Sequence, residues 1–382
     1  MSSTDRTRTV PRLAPVHIVG AATTRFLPEH DTMLDELVFE AVHAALRDCG
    51  LRKQDAGLSV LASMDVLDGR SISSGLTTMA SGGYLNDAFR IEGDSGLAVI
   101  AAAQAIAAGD VEVAIAVGVH NPETRSGNPA RRREFLAQVS NLGFDPHFDR
   151  PIGLTADAVY GMHASIGVGN GANGREQLAA LAADEITRAA ARSRAARTAP
   201  VTTGDVLASE QIAWPLNELM MPAHTTGAVA VVMASPARAG RAVGRDARLT
   251  GLGHATGRYT WDGQWFTDPA ATTRRAAADA YARAGIEEPS DSVDLVELSA
   301  PSPALHEPYL TALGLSGLPP GRVNRSGGVR STFPGLANGA LRLVETVEGL
   351  AAGGETRGVV HSVDTETGLV SEDTTVLVVE AI

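Results

Sequence analysis

The stretch GDSGLAVIAAAQAIAAGDVEVAIAVG, residues 93–118, decides the fold. Its centre, Leu97 to Ala108, is apolar nearly all round and is broken only by Gln104. It starts after Gly93-Asp94-Ser95-Gly96 and stops at Gly109. A surface helix keeps one polar face, so a helix without one has to be buried on every side, between two sheets for example. The apolar run Val111 to Val117 that follows reads as a strand covered on both faces.

Working outward, similar short runs recur at His17 to Gly20, Leu58 to Ala62, Ala228 to Ala234, Leu249 to Leu252, Val293 to Leu298, Gly358 to Val363 and Thr375 to Glu380. Longer helical patterns separate them. Leu34, Leu37, Val38, Ala41, Val42, Ala45 and Leu46 fall on one face of a helix that stops at Gly50. Strands alternating with helices define an α/β protein. From Asn121 to Arg197 the pattern changes to Arg131-Arg132-Arg133, a glycine-rich stretch and an Ala/Arg-rich helix starting at Arg175. This segment reads as an insertion. Strand and helix order resumes from Arg248, which makes two halves of similar layout.

With 44% hydrophobic residues the chain has enough apolar surface for a core formed by packing alone. Its net charge of −12 disfavours nucleic acid or an anionic membrane as the main partner. Cys49 is the only cysteine, so no internal disulfide and no cysteine-based zinc site can form, which suits the cytoplasm. Residues 1–14 read as a disordered polar leader carrying Arg6, Arg8 and Arg12, with no apolar run long enough for a signal peptide or membrane span.

Five segments together resemble the thiolase family, especially its sterol-carrier-protein-type members. They are Val16 to Ala21 with the helix ending at Cys49; residues 97–118; Met221-Pro222-Ala223-His224-Thr225-Thr226-Gly227 with the strand after it; Val293 to Leu298; and Val323-Asn324-Arg325-Ser326-Gly327-Gly328. The resemblance covers Val16 to Glu380. It implies a five-layered αβαβα core from two similar halves, residues 15–245 and 246–382, with residues 121–197 as an inserted loop domain that helps bind coenzyme A. It also implies an acyl-CoA or acyl-carrier thioester as substrate, coenzyme A entering only as part of it, and at least a dimer.

Thiolase chemistry needs a cysteine thiolate at the N-terminus of the buried helix, where the helix dipole lowers the thiol pKa. This chain has none there. An ungapped match puts Glu92 at that position, and aligning Ser95-Gly96 with the family's Ser-Gly puts Gly93 there. The family's other proton-transfer positions are also replaced, by Ser299 after Val296-Glu297-Leu298 and by Phe333 within Thr332-Phe333-Pro334. Near the C-terminus His361 stands as a surviving polar candidate. Asn324, Gly327 and Gly328 match the family's Asn-Pro-Ser-Gly-Gly element, and Arg131, Arg132 and Arg133 are candidates for coenzyme A phosphates. No histidine pair has metal-site spacing.

Two functions fit these replacements. The main expectation is a non-catalytic or atypical subunit of a heteromeric thiolase-like complex, paired with an active chain or a small OB-fold subunit. The alternative is a cysteine-independent carbon–carbon lyase of retro-aldol type, or a condensing enzyme, acting on acyl-CoA thioesters.

Overall fold

The computed structural model describes residues 11–69, 72–83, 86–122, 129–140, 143–240, 247–257, 263–364 and 373–382, with only some side chains in 129–140. The strands among them are β1 (Val16–Thr23), β2 (Leu58–Ala62), β3 (Asp87–Ile91), β4 (Val113–His120), β5 (Gln211–Ala213), β6 (Leu216–Asn217), β7 (Gly227–Ala234), β8 (Ala247–Thr256), β9 (Leu295–Leu298), β10 (Arg357–Val363) and β11 (Asp373–Ala381). Nine form one sheet in the order β3-β2-β4-β7-β1-β8-β11-β10-β9, while β5 and β6 pair separately. The sheet is mixed: β2 runs parallel to β3 and β4, and β9 to β10, whereas the remaining neighbours are antiparallel. The buried helix led us to expect separate sheets above and below it. Instead the two ends of the sheet are joined where Val16, His17 and Ile18 of β1 pair with Leu249, Arg248 and Ala247 of β8.

Six helices carry the packing: α1 (Leu34–Asp48), α2 (Ser95–Ala108), α3 (Ala156–Gly169), α4 (Arg175–Ala189), α5 (Ala271–Ala284) and α6 (Asn338–Gly353). Strand alternation divides the interior among them. In β4 the larger residues Val113, Ile115, Val117 and Val119 face the cluster under α1, whereas Ala114 and Ala116 face α2. Their small size lets that helix sit close. The cluster around α2 also holds Leu341, Leu343 and Val344 of α6, together with Leu252 of β8, Val360 of β10 and Leu377 of β11. Helices α2 and α6 therefore pack against each other between the two ends of the sheet. On the far side α5 covers β8 and β11, in a cluster shared with α3 and α4.

Close approach explains why glycines recur in β1 and β8. A Cβ on Gly20 would come within 2.4 Å of the Ala45 carbonyl oxygen of α1, and one on Gly253 within 1.8 Å of the Ala276 carbonyl oxygen of α5. Among the described residues no helix is long and apolar enough to cross a membrane. Because backbone rather than a flexible side chain blocks the added methyl, Gly253→Ala should lose about 1–3 kcal/mol in urea unfolding. The control Gly240→Ala, where an added Cβ meets nothing within 4 Å, should stay within about 0.5 kcal/mol of the wild type.

Candidate active site

Ligands of open α/β sheets bind beyond the carboxyl ends of the strands, where the chain order changes direction. Here those ends lead to Ser63 after β2, to His120 closing β4, to Ser299 after β9 and to Asp364 after β10. All four residues are buried. The N-termini of α2 and α6 meet at the same place. Asp94, the N-cap of α2, accepts a hydrogen bond from the Gly96 amide at 2.8 Å and another from the Gly339 amide of α6 at 3.0 Å. Ser95 Oγ accepts from the Ala340 amide at 2.9 Å. One carboxylate thus caps two helices whose residues lie 245 positions apart in the chain.

Asp94 is only 5% exposed. Burial pushes its carboxyl up to about 6, against the downward pull of hydrogen bonds from Gly96, Gly339 and Ser362. Next to it, Asn338 donates from Nδ2 to Ser299 Oγ at 2.7 Å and to Ser362 Oγ at 3.2 Å. Gly93 closes the group: a Cβ built there would sit 3.5 Å from Asp364 Oδ2. A buried carboxylate therefore lies beside the second of the two positions at which the family's cysteine was expected. Glu92 lies outside this group. Its side chain is 53% exposed and pairs with Arg90 at 2.7 Å.

His361 is on the wrong face of β10 to join the group. Val360 belongs to the α2 and α6 cluster, but Val359 and Val363, the neighbours that share its face, belong to the α5 cluster. Its Nε2 meets Thr273 Oγ1 of α5 at 2.9 Å, and its ring lies 4.8 Å from that of Tyr309. Burial drives its pKa down to about 3, so the imidazole is neutral. Phe333 is buried, with its ring edge-on to His224 at 5.2 Å.

Asn324 adopts a left-handed conformation with φ 49°. Its Oδ1 accepts from the Leu298 amide at 2.6 Å, and its Nδ2 donates to Glu185 Oε1 of α4 at 2.7 Å. Gly327 and Gly328, at φ 86° and 57°, turn the chain into a short helical segment, Gly328–Ser331. In that segment the buried Arg330 pairs with Glu185 at 2.9 Å. This element thus anchors α4 to the end of β9. Arg131 is exposed on the helix Pro129–Ser140; the side chains of Arg132 and Arg133 lie outside the described residues. Cys49 is buried at the end of α1, where its thiol donates to the Ala45 and Leu46 carbonyls and burial pushes its pKa up. It sits across the sheet from α2. Among the described residues no cluster of three or more histidine, cysteine or carboxylate side chains is placed to hold a metal ion.

The sequence reading missed Asp94, Asn338, Ser362 and Asp364. Asp94 directly before Ser95-Gly96 carried a readable N-cap signal. The other three have no local signature.

The same mixed α/β fold occurs among solved structures. The chain superposes on one described as "Ltp2-ChsH2(DUF35) aldolase" with a TM-score of 0.76 and 21% sequence identity, over 97% of this chain and 98% of that one. No family model matches the sequence, and no curated protein matches it.

The raised pKa of Asp94 has a consequence for stability. An unfolded aspartate titrates near ~3.9, so between about pH 4 and 6 the folded state holds a proton that the unfolded state has lost. The associated stability is present at acid pH and disappears as the pH rises through about 6. In urea unfolding from pH 4 to pH 7, the wild type should lose roughly 2–3 kcal/mol relative to Asp94→Asn.

Proposed function

We propose that this chain is a thiolase-fold lyase that cleaves a β-hydroxyacyl thioester by a retro-aldol reaction, with no acyl-enzyme intermediate. In this reading the packing order of α1, one end of the sheet, the α2 and α6 pair, the other end of the sheet and α5 is the five-layered thiolase arrangement, with α3 and α4 in the insertion. The observation that carries the reading is Gly93 facing the Asp364 carboxylate at the N-terminus of the buried helix, where a thiolase holds its sulfur. The end-to-end match to a structure described as an aldolase supports it.

The step needs a base and a donor. Asp364 takes the proton of the β-hydroxyl. The Cα–Cβ bond then breaks, releasing a ketone or aldehyde and leaving the electron pair on the thioester as an enolate. Ser299 Oγ accepts from Asn338, which frees its own proton for the enolate oxygen. Return of the proton from Asp364 to the α-carbon completes a shorter acyl thioester, so no oxidant or reductant is consumed. Arg131, exposed on the helix Pro129–Ser140, would meet the coenzyme A phosphates.

A second reading, an accessory subunit of a heteromeric complex, draws support from the same description, which couples Ltp2 with ChsH2(DUF35). Turnover of a panel of β-hydroxyacyl-CoA substrates, with and without any co-purifying chain, separates the two. Asp364→Asn should lower kcat by about 100-fold or more at little change in KM. Glu92→Ala and Cys49→Ser should stay within about twofold, because neither side chain reaches the group around Asp94. Full turnover by Asp364→Asn would remove the proposed base, and activity seen only with a second chain would favour the accessory role.

A further inference from the structure

Away from this site, a half-open cavity of about 320 Å³ lies beside α1. It is at the lower end of the size range of small-molecule pockets, roughly 300–1,000 Å³. Its floor is apolar, formed by Val42, Leu46, Leu51 and Ala80. One wall is the stacked pair Phe39 and His43, with ring centroids 5.5 Å apart and planes 6° from parallel. Phe39, His43 and Arg47 are four residues apart on α1, so they form a single stripe that ends at the mouth of the cavity.

The lining contains Arg47, Arg52 and Lys53 but no carboxylate, in a chain whose net charge is −12. Two of the three cations are engaged: Arg52 with Asp55 at 3.5 Å and Lys53 with the Met79 carbonyl. Among the described residues the Arg47 guanidinium has no hydrogen-bond or ion-pair partner and is exposed. An apolar pocket with one unengaged guanidinium at its mouth matches a ligand that has one anionic head and an apolar tail. A guanidinium binds a carboxylate through two parallel hydrogen bonds, and among the described lining residues Arg52 and Lys53 already have partners, which disfavours a polyphosphate or a nucleotide.

We infer that this cavity binds an aliphatic monocarboxylate, with the head on Arg47 and the tail against Val42, Leu46, Leu51 and Ala80. The site is separate from the group around Asp94, because α1 and α2 cover opposite faces of the sheet, and the inference does not rest on the lyase reading.

Titration calorimetry of the full chain with decanoate, below its micellar concentration, tests it against decan-1-ol. Saturable one-to-one binding of decanoate is expected, at least tenfold tighter than the alcohol. Arg47→Gln, a change at an exposed position that leaves the fold intact, should weaken it at least tenfold, and Ala80→Trp should abolish it by filling the floor. Absence of wild-type binding, equal affinity for decanol, or undiminished binding by Arg47→Gln would overturn the inference. Because the readout is binding, a failed lyase assay leaves this result unaffected.

Discussion

The buried carboxylate of Asp94 is the constraint around which the rest of the molecule is arranged. An ionisable group withdrawn from water is costly unless its acceptors are filled, and here two helix N-termini fill them, at 2.8 Å from Gly96 and 3.0 Å from Gly339. Each N-terminus brings unpaired amides and the positive end of a helix dipole. A single negative group between them replaces two separate caps. The contact also decides the tertiary arrangement, because α2 and α6 come from different halves of the chain and occupy one layer. Their meeting point is where Ser299, Ser362 and Asp364 arrive from the carboxyl ends of β9 and β10.

Which parts of this were readable in the sequence follows from burial. Strands covered on both faces, such as β4 and β7, are continuous apolar runs, and α2 declared itself by lacking a polar side. Strand β3 escaped notice because it is an edge: Asp87, Ala88 and Phe89 are exposed, so no buried pattern marks them. The single continuous sheet was equally hidden. It depends on three residue pairs between β1 and β8, and long-range pairing leaves no local trace.

The site was legible in outline only. That no cysteine stands at the start of α2 could be read directly, and so could the segment that begins that helix. The carboxylate beside Gly93 could not, since Asp364 lies more than 250 positions away and only the folded register brings the two together. His361 and Ser362 illustrate the same limit. They are adjacent in sequence, yet strand alternation sends Ser362 toward Asn338 and His361 toward Thr273. A histidine that attracts attention by its chemistry is thus a neutral packing residue, and the serine beside it lines the polar group. Asn324 and its glycines, similarly, hold α4 in place through Glu185 rather than presenting a surface.

In the proposed lyase, carboxylates and hydroxyls that move protons but do not carry an acyl group stand where a thiolase would hold its sulfur nucleophile. The most direct test is the mass of the intact protein during turnover of a β-hydroxyacyl-CoA, read together with the products released. A shorter acyl-CoA and a free carbonyl compound are predicted in equal amounts, with the protein mass unchanged throughout. An added acyl mass that accumulates and decays with turnover would contradict it.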